Sequence, residues 1–309
     1  MAGQQRVYKQ RIRSTETLAK VFRAMELIAA SRISAARDAA SSANPYDQAI
    51  TRAVAAVSQH ANLVHPLTKE RTDTKRVAIL AVTSDRGMAG AYSASILRAT
   101  DDLMDRLRES GREPELFVAG RRARSYYTFR GAEIAGAWEG ESDRPSEKII
   151  DDVARTLVDG FMAPADEGGF CEVYIVYTRF YNMVKQVPEI RKVLPLKVVD
   201  ETDRDYLLDE GYIPDSKPDE VLPLYEFEPS AEDVLDTLMP MYVRSRIRNA
   251  LLQSAASELA SRQTAMHTAN DNAHDMIEKY TRLANAARQA EITTEITEIV
   301  SGADALSGS

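Results

Sequence analysis

The stretch that decides the fold is Ala250–Ala290, ALLQSAASELASRQTAMHTANDNAHDMIEKYTRLANAARQA. Leu252, Ala255, Leu259, Arg262, Met266, Ala269, Ala273, Met276, Tyr280, Leu283, Ala287 and Ala290 recur at every third or fourth position. Alternating steps of three and four define a coiled-coil seam, one helical stripe packed on a partner helix. Only Arg262 interrupts its small and apolar character. No Pro or Gly lies between Pro240 and Gly302, so no backbone breaker ends the helix in that interval. At 1.5 Å per residue the helix spans roughly 90 Å, more than a compact domain can cover along its length. After Ala290 the spacing continues through Ile292, Ile296, Ile299 and Ala303 on a different face. A change of face implies a change of partner near the C-terminus.

The mate of this helix lies at the other end of the chain. In residues 1–62, Leu18, Phe22, Met25, Ala29, Ile33, Ala36, Ala40 and Ala43 form one helical face. Pro45, preceded by Asn44, is expected to stop or kink that helix, with a second helical piece running on through Val57.

Residues 75–199 change character. RVAILAV (Arg76–Val82) has the β-branched content of a buried strand. A helix should end at Gly111, a second strand is expected at Glu115–Gly120, and a helix with Ser146 as its cap should run to Met162. Cys171–Phe180 and Lys192–Val199 read as further strands. Strands alternating with helices argue for an open sheet with crossover connections. Residues 200–230 form an acidic linker dense in Asp, Glu and Pro, and residues 231–309 hold the long C-terminal helix. A domain's ends lie close together at its surface, so helices leaving both ends would run antiparallel. The expected fold class is α/β: a long antiparallel two-helix coiled coil with an inserted Rossmann-like open α/β domain.

Composition excludes several functions. The 309 residues carry a net charge of −8, which disfavours a general nucleic-acid or membrane-surface role. A single cysteine, Cys171, rules out an internal disulfide and reads as a buried structural thiol. No apolar run approaches the roughly 18 to 20 residues that span a bilayer, and MAGQQRVYKQRIRS lacks the apolar core of a signal peptide.

No dinucleotide fingerprint or Gly-Lys-Ser/Thr phosphate loop is present. SDRGMAGAY (Ser84–Tyr92) follows the first strand, where a phosphate-cradling turn would sit. It is either a ligand loop or, the favoured reading, a strand-to-helix turn that needs glycine. His60, His65, His267 and His274 lack metal-ligand spacing, and no catalytic set stands out, so no cofactor or metal is expected. From Arg6 to Arg37 the bases Arg6, Lys9, Arg11, Arg13, Lys20, Arg23, Arg32 and Arg37 face only Glu16 and Glu26. That face is either solvated or meets an acidic partner.

These segments agree on a family. RIRSTETLAKVFRAMELIAASRISAAR (Arg11–Arg37) resembles the N-terminal helix of the gamma subunit of the F-type ATP synthase, bacterial type. SDRGMAGAYSASI (Ser84–Ile96) resembles that family's loop after the first strand, with Met88 and Ala89 where Leu-Cys is usual. Ala250–Ile277 and RQAEITTEITEIVSGADAL (Arg288–Leu306) resemble its C-terminal helix. Ile292, Thr293, Glu295, Glu298, Gly302, Ala303 and Ala305 fit the family signature. KVFRAME (Lys20–Glu26) departs from the family's more common Lys-Ile-Thr-Lys-Ala-Met-Glu, and Ala284 and Ala286 stand where Tyr and Arg are common. The cysteine pair of the chloroplast redox switch is absent, which excludes that form of thiol control.

The resemblance implies a non-catalytic central rotor shaft. It would couple proton-driven rotation of the membrane c-ring to ATP synthesis in a ring of three alpha and three beta subunits. Nucleotide sites would belong to the ring, and the expected partners are alpha, beta, the epsilon subunit and the c-ring. Nucleic acid and direct nucleotide binding are not expected. Association with the membrane, peripheral and at the cytoplasmic face of the bacterial cell membrane, would come only through the complex. The family places beta-subunit contacts at Arg23, Met25 and Arg32, and polar catch contacts at Arg262, Gln289 and Thr293. Ile292, Ile296, Ile299, Val300 and Ala303 would form the tip inside the ring's sleeve. Two alternatives predict different behaviour: a ligand-binding α/β domain with a coiled-coil arm, and a coiled-coil adaptor whose basic face meets nucleic acid. The missing phosphate loop and the net charge of −8 weigh against them.

Overall fold

The computed structural model describes residues 2–61, 65–195, 228 and 230–307. The acidic stretch 200–227 and the last part, 196–199, of the strand expected at Lys192–Val199 lie outside the described residues. So do the side chains of Ala303 and Ala305, which with Gly302 lie in a stretch where the backbone alone is described. The elements run α1 (Ala2–Ala61), β1 (Arg76–Val82), α2 (Tyr92–Glu109), β2 (Glu113–Ala119), α3 (Arg121–Phe129), β3 (Gly136–Trp138), α4 (Glu147–Met162), a 3-10 turn (Ala165–Glu167), β4 (Glu172–Phe180), β5 (Gln186–Leu194) and α5 (Ala231–Ser307). The chain divides into two compact units, Ile33–Ser261 and Met1–Arg32 with Arg262–Ser309.

The unit Ile33–Ser261 is built on a five-stranded sheet of order β3-β2-β1-β4-β5. β1 to β4 are parallel and β5 returns antiparallel on β4. Alternation along each strand serves two apolar layers. Ala78, Leu80, Val82, Phe117, Ile175 and Tyr177 pack with α4 and with Leu235, Met239, Val243 and Ile247 of α5. Val77, Ile79, Ala81, Leu116, Val118 and Val176 pack with Ile96, Leu103 and Leu107 of α2 and with Ala123 and Tyr127 of α3. Ser146 caps α4 as expected, its hydroxyl accepting from the Ile149 N–H at 3.4 Å, and Gly111, at φ +77°, follows the end of α2. α3 and β3 are elements that the sequence reading passes over. β5 corrects the strand expected at Lys192–Val199: it begins at Gln186 and ends at Leu194, because the β4 hairpin sets its register.

Pro45 does not stop the helix, which corrects one half of the stop-or-kink expectation. α1 runs through it as one helix. An interior Pro costs about 3 kcal/mol through its missing N–H and its ring clash. Packing on both sides outweighs that cost. Ala40 and Ala43 bury against Leu252, while Val54 and Val57 enter the sheet core. Between them, the Asp47 carboxylate accepts from Ser245 Oγ at 2.8 Å and from Arg246 at 3.2 Å. Pro45 itself is exposed, so its ring faces solvent. Further back, Ile33 packs on Leu259 and Ala260. Moving back along α1 thus means moving forward along α5, and the two helices are antiparallel.

In the unit of residues 1–32 and 262–309, the helices again run antiparallel, with Glu26 opposite His267 and Tyr8 opposite Tyr280. Ala19, Glu26 and Ala29 of α1 and Met266, Ala273 and Ala284 of α5 are buried. Two details of the expected seam change. Met276 is 45% exposed and Leu283 is 37% exposed. The inner face instead passes through Ala273, Ile277, Tyr280 and Ala284, because a 3.6-residue helix drifts from a strict 3.5 repeat unless it supercoils. On α1 the small Ala19 is buried, whereas Leu18 is 51% exposed.

Candidate functional site

Two places could carry function: the crevice at the end of β1 and the polar and apolar faces of residues 1–32 and 262–309.

In an open parallel sheet, ligands bind outside the carboxyl ends of the strands, where the strand order reverses. Here that place is the Thr83–Ala91 loop, since β1 lies between β2 and β4. The backbone donors at this place are taken by the chain's own groups. The Asp85 carboxylate accepts N–H bonds from Arg121 at 3.0 Å, Gly140 at 2.8 Å and Ser142 at 2.9 Å. The next two amides of α3 are also taken: Arg122 N–H donates to the Ser84 carbonyl and Ala123 N–H to Thr83 Oγ1. A helix N-terminus of this kind binds phosphate when its amides are open. These amides are occupied, with Asp85 as the built-in anion. Burial pushes the Asp85 carboxyl up, but the backbone donors outweigh it and hold its pKa below the ordinary value. Gly120, at φ +103°, lets β2 pass so near β1 that a Cβ would lie 2.1 Å from the Thr83 carbonyl oxygen. The geometry supports a strand-to-helix turn. Among the described residues, no group of three or more His, Cys, Asp or Glu is placed to hold a metal. Cys171 is buried; its thiol donates to the Arg76 carbonyl, and burial raises its pKa.

The expected contact residues fall into three groups. Arg23 is exposed and bonds Glu26 at 2.9 Å, Arg32 is exposed, and Met25 is half-buried. Gln289 and Thr293 are both exposed one helical turn apart, and Thr293 Oγ1 donates to the Gln289 backbone carbonyl at 2.9 Å. Arg262 is buried, only 3% exposed. Ile292, Ile296, Ile299 and Val300 are all exposed, Ile299 by 71%, as are Glu295 and Glu298.

Sequence reasoning missed the links between the helices in this unit. Glu26, buried, bonds His267 Nδ1 at 3.2 Å, and Tyr8 stacks on Tyr280 with ring centroids 6.4 Å apart. Arg11 lies over the Tyr280 ring at 5.5 Å. Tyr280, the one aromatic residue of the seam, was the available signal.

Comparison with known proteins decides what these helices belong to. A family model described as ATP synthase matches residues 4–306. An ATP synthase gamma chain of Beutenbergia cavernae is 59% identical over 309 residues, covering 100% of both chains. The chain belongs to the ATP synthase gamma chain family. A second gamma chain, from Bifidobacterium adolescentis, is 49% identical over 304 residues, 98% of each chain. Solved structures share this chain's fold. A chain of the Euglena gracilis mitochondrial ATP synthase (OSCP/F1/c-ring, rotational state 3) matches at TM-score 0.64 and 15% identity, over 99% of this chain and 95% of that one. A chain of the Tetrahymena thermophila mitochondrial ATP synthase (central stalk/c-ring) matches at TM-score 0.56 and 21% identity, over 81% of this chain and 99% of that one. No helix among the described residues is long and apolar enough to cross a membrane.

Proposed function

We propose that this chain is the central rotor shaft of an F-type ATP synthase. In this reading it couples rotation of a membrane c-ring to conformational change and ATP synthesis in a ring of three alpha and three beta subunits. The observation that carries the reading is 59% identity with a gamma chain over the full length of both proteins. The epsilon subunit and the c-ring are its other partners, and nucleotides bind to the ring rather than to this chain. It lies at the cytoplasmic face of the bacterial membrane and is held there by the complex.

The exposed surfaces support this assignment. Small and apolar residues at the C-terminal end, with Ile292, Ile296, Ile299 and Val300 exposed, suit a bearing surface that turns without a fixed lock. Polar contacts at Gln289 and Thr293 would bind one beta conformer better than another. A ligand shifts a population by its differential affinity alone, so the preference must depend on angle. Arg23, Met25 and Arg32 belong to the same set of beta contacts. Arg262 does too, and its burial requires the side chain to reorient on assembly.

The test is the double variant Gln289→Ala with Thr293→Ala in the reconstituted complex. Coupled ATP turnover should fall while alpha and beta still copurify at three each. Unchanged turnover would remove these two residues from the torque path. Assembly of the ATPase without this chain would sink the whole reading.

A further inference from the structure

His65 lies in the connection between α1 and β1 and is 9% exposed. It opens a tight turn, whose carbonyl accepts the Thr68 N–H at 2.9 Å and the Lys69 N–H at 3.2 Å. Both ring nitrogens are engaged. Nδ1 accepts the Leu67 N–H at 3.0 Å, and Nε2 lies 3.1 Å from Asp236 Oδ1 on α5. A backbone N–H can only donate, so Nδ1 carries the lone pair and the proton sits on Nε2, facing Asp236. Leu67, the donor, is 1% exposed and packs in the core with Val54, Ile150, Leu157 and Leu235. One neutral imidazole therefore joins a buried turn to the first turns of α5.

A second proton has one place to go: Nδ1, the atom that already accepts from Leu67. The imidazolium would set a donor against a buried donor, which costs more than simply leaving the bond unmade. Asp236 is largely exposed, so the charged ring can swing outward and keep that partner. We propose that His65 is an acid-released latch. Neutral, it clamps the 65–69 turn against the start of α5. Protonated, it abandons Leu67, and the turn loosens its hold on α5.

The direction of the effect follows from the groups that face the ring. Asp236 on α5 is the charged side chain whose field reaches it, and it favours the protonated form. Its own turn presents the Leu67 amide. Burial opposes protonation more strongly than Asp236 favours it, so the ring's pKa lies below the ordinary value. With Asp236 still beside the ring, the opened turn takes a proton at or above the ordinary value of about 6.5, while the clamped turn resists it. The clamp is therefore fully present above that pH and weakens as pH falls toward the clamped ring's own pKa.

The test uses the purified complex containing the full chain. Hydrogen exchange of the 65–69 segment is followed by mass spectrometry and expressed as protection factors, to remove the intrinsic pH dependence. Exchange of the imidazole C2 proton gives the titration of each histidine. Protection should fall about tenfold for each pH unit below the opened-turn pKa until the clamped ring titrates. His65 should titrate below the ordinary histidine range. His65→Gln should make protection independent of pH. Asp236→Asn, which removes the group favouring the charged form, should move the release to lower pH. Protection that does not change with pH in the natural chain overturns the latch, as does an equal pH dependence in His65→Gln. If His65→Gln does not assemble, an unshifted release in Asp236→Asn overturns it instead.

Discussion

A carboxylate that accepts backbone N–H groups from two separate loops works as a structural part, and Asp85 is placed to be one. It joins the end of β1 to the start of α3 and to the loop after β3. Replacing it with Ala leaves three amides without acceptors at about 1 kcal/mol or more each, so Asp85→Ala should destabilise the chain by about 2 to 4 kcal/mol. Asp85→Asn keeps one acceptor oxygen and should lose less. The pH dependence has a definite sign, because the folded carboxyl's pKa is below its unfolded value. Its contribution is complete above the unfolded value of about 3.9 and disappears as pH falls through the folded one. Denaturant melts of the natural chain and Asp85→Asn should therefore differ at pH 6 and converge under strong acid. A constant gap at every pH would mean that charge is not what holds the loops. None of this was legible beforehand. Asp85 reads as one polar residue in a glycine turn, and its partners stand 36 to 57 residues further along.

At the scale of the element, α1 tests how far local chemistry governs a helix. Pro45→Ala restores the missing N–H donor and removes the ring clash, so it should stabilise the chain by about 1 to 3 kcal/mol. The unfolding midpoint of the full chain measures it. No gain would mean that α1 already accommodates the ring without strain. The same element marks the limit of sequence reading. Period and composition expose the long helices, β1 and β4, because each repeats one pattern over many residues. Pro45 misleads because the packing of Ala40, Ala43, Val54 and Val57 is tertiary and overrides a local rule. α3 is missed for the opposite reason. RRARSYYTF places only Ala123 and Tyr127 in the core, too few for a period to show. In the candidate site, the apolar stripe from Ile292 to Ile299 follows from spacing. Gln289 and Thr293 come from resemblance alone, since an exposed polar pair one helical turn apart is common on any helix.

At the scale of the whole molecule, the two units are closed by different means. Ile33–Ser261 has a sheet buried on both faces, with Val77 to Ala81 at zero exposure. The unit of residues 1–32 and 262–309 has a narrow inner face of small residues, a Glu26–His267 hydrogen bond and a stacked tyrosine pair. Its outer face keeps Leu18, Val21, Leu27, Ile28, Ile292, Ile296, Ile299 and Val300 exposed. Two helices alone cannot cover that much apolar surface, and sparse contacts permit local opening well below the global unfolding free energy. Hydrogen exchange of the full chain on its own should therefore show β1 and β4 strongly protected and residues 4–32 and 266–300 weakly so. Assembly with alpha and beta subunits should raise protection in those helices by at least about tenfold while leaving β1 and β4 unchanged. If the helices are as protected alone as in the complex, their exposed apolar residues need no cover, and the bearing-surface reading of Ile292 to Val300 fails. A rise confined to residues 4–32 would place the contact on α1 and leave the C-terminal stripe without a partner.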